Sequence, residues 1–247
     1  MCRHLAYLGP SRTLHSLVYE PEHSLEHQAY APRHNLHNSL NADGFGVGWY
    51  PATGEAPVRF RRAQPMWTDV SFRDVAAAVE SGCVLAAVRS ATQGFPVDES
   101  CAQPFRTGPY LFSHNGRVGA YAGVEAKLRE LAGDLADVPE ARAPVDSALL
   151  LAITAGHWRA GRSLGEGLAE TVFAVTSLTS GRYNLLATDG TSLAATTWGD
   201  SLFVLRADGS VVIASEPYDE DPRWERVPDR SLVTFEGDRL CLSSLAS

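Results

Sequence analysis

The chain begins with Met1 and Cys2, so removal of the initiator methionine would leave a thiol and a free α-amine on one residue. An α-amine has a pKa of about 7.7 to 8.0 and can accept the thiol proton directly or through one water near physiological pH. One residue then supplies both nucleophile and base. The simpler interpretation is that Cys2 packs as a small hydrophobic residue at the start of a strand.

A second candidate for chemistry is the segment HNG at residues 114–116. The side-chain amide of Asn115 and the backbone N–H of Gly116 can converge on one oxygen, because glycine places no side chain in the approach. Such a pair of donors forms an oxyanion hole for acyl transfer. Asn-Gly is also a frequent pair in hairpin turns, and these residues alone leave both interpretations open.

Two further segments carry groups that suit an amino-acid substrate. In VRSATQG, residues 88–94, Arg89 and Thr92 follow an apolar strand, and a guanidinium with a hydroxyl can grip a carboxylate. Asp146 opens an apolar helical segment, where a carboxylate can bind an ammonium group. A surface arginine and an ordinary helix N-cap are the alternative interpretations.

Strands and helices must hold these residues. Apolar runs with β-branched or aromatic residues predict strands at 2–9, 44–50, 57–62, 83–90 and 110–116, and helical spacing predicts helices over 69–81, 123–133 and 146–158. From residue 171 the pattern predicts strands again, beginning with TVFAVTSL at 171–178, which is apolar on both faces. This order favours two packed sheets with helices outside. No repeat or linker divides the chain, so we expect one domain over residues 1–247.

Composition restricts the kinds of partner. The net charge is −8 without any run of basic residues, which argues against nucleic acid or an anionic membrane as the main partner and favours a small molecule. The four cysteines form no CxxC pair, and no signal peptide or membrane span is visible, so we expect reduced thiols in the cytoplasm. The eight histidines lack metal-ligand spacing and GFGVG is no dinucleotide fingerprint, so we expect neither metal nor cofactor.

Taken in order, these segments resemble class II glutamine amidotransferases of the N-terminal-nucleophile hydrolase superfamily. The resemblance is carried by Met1-Cys2, NADGFGVGWY at 41–50, VRSATQG at 88–94, QPF at 103–105, SHNG at 113–116 and VDSALL at 145–150. It implies an α+β fold, the four-layer αββα sandwich. It also implies that Cys2 is the nucleophile with its own amine as base, and that Asn115 and Gly116 form the oxyanion hole.

The resemblance further implies how a substrate is held. Arg89 and Thr92 match residues that bind the α-carboxylate of a glutamine or γ-glutamyl group, and Asp146 matches the acid that binds its α-ammonium. This region differs from the usual pattern of the family at two positions. Ser90 stands where an aromatic residue is common, and Gln93 stands where a histidine is common. They argue against strict recognition of glutamine and leave the γ-glutamyl grip intact.

The amine that leaves the γ-glutamyl group distinguishes three hypotheses. The start MCRHLAYLG and the length most resemble stand-alone γ-glutamyl hydrolases of the ergothioneine pathway, which implies release of glutamate from γ-glutamyl-hercynylcysteine sulfoxide. The alternative is a glutaminase subunit that supplies ammonia to a separate synthetase. The third hypothesis is a catalytically silent binding protein on the same fold.

Overall fold

The computed structural model describes residues 2–34, 40–54, 56–207 and 209–245, so Met1 and its expected removal lie outside the described residues. The strands are β1 (Arg3–Thr13), β2 (Phe45–Trp49), β3 (Val58–Arg62), β4 (Glu80–Val88), β5 (Phe105–Thr107), β6 (Tyr110–Val118), β7 (Gly181–Thr188), β8 (Ser192–Thr197), β9 (Phe203–Ala207), β10 (Ser210–Ala214), β11 (Glu225–Arg226), β12 (Ser231–Glu236) and β13 (Arg239–Ser244). The α-helices are α1 (Leu14–Val18), α2 (Leu25–Tyr30), α3 (Val70–Ala78), α4 (Tyr121–Ala132), α5 (Asp146–Arg159) and α6 (Leu164–Thr176).

The strands form two antiparallel sheets. The first sheet has the order β11-β9-β10-β1-β4-β2-β3 and the second the order β13-β12-β8-β7-β6-β5. Side chains alternate between the faces of a strand, and β1 shows this directly. Leu5 and Tyr7 pack with α1, α2 and α3, whereas Ala6 packs between the sheets. The centre of the first sheet is therefore buried on both faces.

Helices cover both outer faces and complete a four-layer αββα sandwich, which confirms the predicted α+β fold. Leu14, Leu17 and Phe72 of α1 and α3 pack on the first sheet. The second sheet is covered by α4, α5 and α6. Burial of α5 along most of its circumference agrees with its apolar sequence.

The predicted strand over residues 171–178 is wrong, because most of this segment is the last part of α6. Ser163 and Glu166 form a capping box at the start of the helix, and this signal lies upstream of the apolar run that suggested a strand. Leu168, Val172 and Val175 are buried at helical spacing, while Phe173 is exposed. The local preference of Val and Thr for strands yields here to the cap and to one buried face.

The other predicted strands and helices are confirmed, with ends that differ by a few residues. Sequence patterns missed the short helices α1 and α2 and the strands β5, β11 and β13. These elements are short or lie at sheet edges, where periodicity carries little signal. Within the described part of the chain, no helix has the length and apolar character needed to cross a membrane.

Candidate active site

Cys2 lies directly before β1 and is buried, with 7% of its surface exposed. Its position follows from the alternation along the strand, since Ala6 faces the second sheet and residues 2 and 4 share that face. His4 confirms this direction, because its Nδ1 lies 3.1 Å from the hydroxyl of Ser113 on β6. The side chain of Cys2 is therefore on the face of β1 that looks toward β6.

Asn115 lies on β6, the strand of the second sheet that contacts β1 through His4 and Ser113. Leu111 packs between the sheets, so Ser113 and Asn115 face the same way. The contact of His4 with Ser113 therefore lies two residues from Cys2 along the first chain segment and two residues from Asn115 along β6. The hydroxyl of Ser215 ties the two strands together, since it accepts bonds from the His4 backbone N–H at 3.0 Å and from Asn115 Nδ2 at 3.3 Å.

Asn115 and Gly116 lie inside β6, so the hairpin-turn interpretation of this pair is wrong. Asn115 pairs with Asn184 and Gly116 with Tyr183 of β7. A Cβ atom added to Gly116 would lie 2.0 Å from the carbonyl oxygen of Arg182, so only glycine fits here. The residue type at position 116 is thus dictated by the close approach of a neighbouring backbone.

Gln103 braces the strand that carries Asn115. Its Oε1 accepts from the backbone N–H of His114 at 2.6 Å and from the hydroxyl of Ser113 at 2.8 Å, and its Nε2 donates to the carbonyl of His114 at 3.1 Å. The sequence indicates Gln103 only as part of the QPF segment. Its bracing function depends on a partner 11 residues away, which local patterns do not reveal.

His4 is the titratable group on β1 nearest to Cys2 on the same face. Burial, together with the smaller effects of the charges of Arg3 and His114, lowers the pKa of His4 to about 3. The imidazole is therefore neutral near pH 7, which makes it a poor source of a proton for a leaving group.

Arg89 is buried just after β4 and is held by backbone carbonyls. Its Nη1 donates to the carbonyl oxygens of Pro96 at 3.0 Å and Asp43 at 3.3 Å, while its Nη2 is buried without a hydrogen-bond partner among the described residues. A buried donor that lacks a partner costs free energy unless a ligand supplies one. Arg89 is thus prepared to donate to an anionic group.

Asp146 is the first residue of α5 and is buried. Val145 occupies the N-cap position and makes no side-chain capping bond, so the N-cap interpretation of Asp146 is wrong. One carboxylate oxygen accepts from the backbone N–H of Val118 at 2.9 Å and the other from that of Ser147 at 2.8 Å. A carboxylate has further lone pairs, so Asp146 retains capacity for an ammonium group.

A cavity of about 830 Å³ lies beside these groups, and we call it the β4-side cavity. Thr92, Pro96, Arg117, Val118 and Tyr121 are among the residues that line it. Thr92 contacts the cavity directly. The predicted residues Arg89 and Asp146 are bonded to its wall through Pro96 and Val118 respectively.

A second cavity of about 620 Å³, the β10-side cavity, is lined by Arg33, His34, Asp200, Ser201 and Arg226, together with neighbouring residues. No sequence pattern predicted this site. Its walls come from loops and from β11, which are distant in sequence and meet only in the folded chain.

Glu216 connects this second cavity to the start of β1. Its Oε2 accepts from the backbone N–H groups of Arg33 at 2.7 Å and His34 at 3.0 Å, and it lies 3.2 Å from His23 Nε2. Its Oε1 lies 3.6 Å from Nε of the fully buried Arg3. Burial opposes ionisation of Glu216, but the bond to His23, the charge of Arg3 and the two backbone N–H groups together lower its pKa.

Comparison with known proteins identifies the family. The profile of class-II glutamine amidotransferases matches residues 16–209. The chain belongs to the class-II glutamine amidotransferase family. A curated relative from Mycolicibacterium smegmatis, named γ-glutamyl-hercynylcysteine sulfoxide hydrolase, is 45% identical over 246 residues, which cover 99% of this chain and 100% of the relative. The protein of that name from Mycobacterium tuberculosis CDC 1551 is 42% identical over 246 residues, which cover 99% of this chain and 97% of the relative.

Solved structures of this family share the fold. A glutamine aminotransferase class-II domain protein from Silicibacter pomeroyi aligns with a TM-score of 0.69 at 21% identity and covers all of both chains. The glutamine phosphoribosylpyrophosphate amidotransferase of B. subtilis aligns with a TM-score of 0.71 at 17% identity, over 99% of this chain and 49% of its own. At this level of identity, the likeness concerns the four-layer architecture.

Proposed function

We propose that this protein hydrolyses the γ-glutamyl amide bond of γ-glutamyl-hercynylcysteine sulfoxide and releases glutamate and hercynylcysteine sulfoxide. Cys2 is the nucleophile after removal of Met1. The observation that carries the proposal is the pair of hydrogen bonds by which the hydroxyl of Ser215 joins the backbone of His4, two residues after Cys2, to the side chain of Asn115. The substrate is proposed from two curated relatives that bear this name and match nearly the whole chain.

The first step is attack on the γ-carbonyl carbon. The neutral α-amine of Cys2 accepts the thiol proton, directly or through a water, and the thiolate adds to the carbonyl. Negative charge develops on the carbonyl oxygen, where Asn115 Nδ2 and the backbone N–H of Gly116 donate. Asn115 Nδ2 carries two hydrogens, so the bond to Ser215 leaves one for the oxyanion.

The second step breaks the carbon–nitrogen bond. The α-ammonium of Cys2 returns its proton to the leaving nitrogen, and the thioester forms as the amine departs. Water then adds to the thioester with the α-amine again as base, and cleavage of the carbon–sulfur bond restores the thiol and releases glutamate. His4 takes no proton in this scheme, because its low pKa keeps it neutral.

The glutamyl half is proposed to bind at the β4-side cavity. Arg89 Nη2 and the hydroxyl of Thr92 hold the α-carboxylate, and Asp146 holds the α-ammonium. The unpartnered Nη2 of Arg89 and the exposure of Thr92 to the cavity support these assignments. We expect the reaction to take place in the cytoplasm on a small molecule, without a metal or another cofactor.

The deciding experiment combines mass spectrometry of the mature N-terminus with measurement of glutamate release. We expect Cys2 to be the first residue, and γ-glutamyl-hercynylcysteine sulfoxide to be hydrolysed much faster than glutamine. Rapid hydrolysis of glutamine, stimulated by a partner protein, would instead favour the glutaminase subunit. Retention of Met1, together with glutamate release that stays at the uncatalysed rate for both the wild type and Cys2→Ala, would favour the silent binding protein.

A further inference from the structure

We propose that the β10-side cavity binds the amine half of the substrate, and that the guanidinium of Arg226 binds a carboxylate of that half. The inference rests on the proposed γ-glutamyl hydrolase function and adds the site that selects the leaving amine. The ligand class is a zwitterionic amine with at least one carboxylate and a fixed positive charge.

The order of strands in the first sheet places the two cavities on opposite sides of Cys2. β1 lies between β4 and β10. Arg89 follows the end of β4, which pairs with the start of β1, and Ser215 follows the end of β10, which pairs with β1 on the other side. With the glutamyl half held at Arg89 and the amide carbon at Cys2, the amine half extends toward β10.

The second sheet also connects the candidate oxyanion hole to the β10-side cavity. Asn115 of β6 pairs with Asn184 of β7, whose Nδ2 donates to the backbone carbonyls of Asp200 at 3.0 Å and Ser201 at 3.2 Å. Both Asp200 and Ser201 line the β10-side cavity. The lining therefore begins one strand away from the candidate oxyanion hole.

A short chain of hydrogen bonds connects the cavity to Asn115. The hydroxyl of Ser201 donates to the carbonyl of Ser215 at 2.7 Å, and the hydroxyl of Ser215 accepts from Asn115 Nδ2 at 3.3 Å. An amine that leaves the acyl carbon next to Asn115 thus has Ser201 of this cavity close by. The cavity is adjacent to the bond that breaks.

The charged side chains of the β10-side cavity differ in whether they are already ion-paired. Asp200 is bonded to Arg182 at 3.0 Å, and Arg33 is paired with Glu220. Arg226 is exposed at the cavity and makes no ion pair with any residue that the structure describes. Arg226 is therefore the cation best able to accept a new carboxylate, and a bidentate arrangement suits a guanidinium.

The leaving half of the proposed substrate has matching chemistry. Its cysteine part, once acylated on nitrogen, keeps an α-carboxylate close to the scissile bond, and its hercynyl part is a betaine with a trimethylammonium group. The carboxylates of Asp200 and Asp229 provide negative charge in the same cavity. A cavity with both signs of charge fits such a zwitterion better than ammonia or an apolar amine.

The test measures binding in a Cys2→Ala background, where the conjugate is not consumed. Calorimetric titration with γ-glutamyl-hercynylcysteine sulfoxide compares Cys2→Ala alone, with Arg226→Gln added, and with Arg239→Gln added as a matched control. Arg239 is an exposed arginine on β13 that does not line this cavity. We expect Arg226→Gln to raise the Kd about tenfold and Arg239→Gln to change it less than about twofold.

A kinetic comparison separates loss of the carboxylate contact from general damage. With the active Cys2, Arg226→Gln should lower kcat/KM about tenfold for the conjugate and less than about twofold for γ-glutamyl-p-nitroanilide, whose leaving group has no carboxylate. An unchanged Kd, equal losses on both substrates, or no binding of the conjugate to Cys2→Ala would overturn the inference. Binding that depends on Arg226 without glutamate release by the wild-type chain would overturn the proposed function and retain the cavity assignment.

Discussion

The β4-side and β10-side cavities differ in how their charged groups are held. At the β4-side cavity, Arg89 and Asp146 are buried and bonded to backbone groups of Pro96 and Val118, which line the cavity. At the β10-side cavity, Arg33 and Arg226 are exposed on a loop and on a two-residue edge strand. The charged groups that we assign to the first site are thus buried and fixed, whereas those of the second are exposed.

This difference has a thermodynamic consequence. Buried groups that are already fixed by hydrogen bonds lose little conformational entropy when a ligand binds, and Nη2 of Arg89, which has no partner among the described residues, penalises the empty site. Exposed arginines must be ordered on binding and stay screened by solvent. We therefore expect strict selection of the γ-glutamyl half and graded selection of the amine half.

The largest expected effect is at Cys2, the proposed nucleophile. Cys2→Ala should lower kcat by more than about 10³-fold and keep substrate binding largely intact, because the nucleophile is lost while both cavities remain. Glutamate release and calorimetric binding measure the two effects. Cys241→Ala, which removes a half-buried thiol on β13, is the matched control and should retain full activity. Activity of Cys2→Ala near the wild-type level would contradict the assigned nucleophile.

The next largest effect is expected at the oxyanion hole. Asn115→Ala should lower kcat by about 10² to 10³-fold with little change in KM, since the lost donor acts on charge that develops during the reaction. Steady-state kinetics on the conjugate give both constants, and circular dichroism checks that the variant is folded. A rise in KM at unchanged kcat would make Asn115 a binding residue instead.

Arg89→Ala tests the expected strict selection of the γ-glutamyl half at the β4-side cavity. Removal of a charged donor from the β4-side cavity should lower kcat/KM by about 10- to 100-fold. The loss should be equal for the conjugate and for γ-glutamyl-p-nitroanilide, because the two share the glutamyl half. Arg226→Gln, which should affect only the conjugate, is the comparison variant. Unequal losses for Arg89→Ala would place Arg89 on the amine half.

Glu216→Gln has the smallest expected effect. It tests how much the charge of Glu216, which binds the backbone of Arg33 and His34 at the β10-side cavity, stabilises the fold. The pKa of Glu216 is lowered in the folded protein, so its charge stabilises the fold above the usual glutamate pKa of about 4.3. This contribution disappears as the pH falls through the lowered value. We expect the free energy of unfolding to drop by about 1 to 2 kcal/mol at pH 7 because charge-assisted bonds are weakened.

Denaturant titrations at several pH values check the Glu216 prediction. The difference between Glu216→Gln and the wild type should vanish in acid, below the folded-state pKa. Glu236, an exposed residue at the end of β12, offers the control substitution Glu236→Gln, for which we expect a change below about 0.5 kcal/mol. A pH-independent difference at Glu216 would contradict the electrostatic explanation.

Sequence patterns predicted much of the fold, and their failures have identifiable causes. Strands such as β1 and β4 are long, central and apolar, so local preference and tertiary burial agree. The strand prediction for residues 171–178 was wrong because a capping box and one buried helix face outweighed the preference of these residues for strands. The Asn-Gly pair at 115 and 116 was open to two interpretations, which the pairing of β6 with β7 separated.

The sequence by itself determined the resemblance to the family, the four-layer fold and the candidate residues Cys2, Asn115, Gly116, Arg89, Thr92 and Asp146, because their types and order are written along the chain. Only the tertiary structure decided which groups meet. The bonds of Ser215 to His4 and Asn115, and those of Gln103 to β6, join residues that are separated in sequence. So does the β10-side cavity. Such contacts depend on the order and facing of strands in two sheets, and local periodicity carries no information about either.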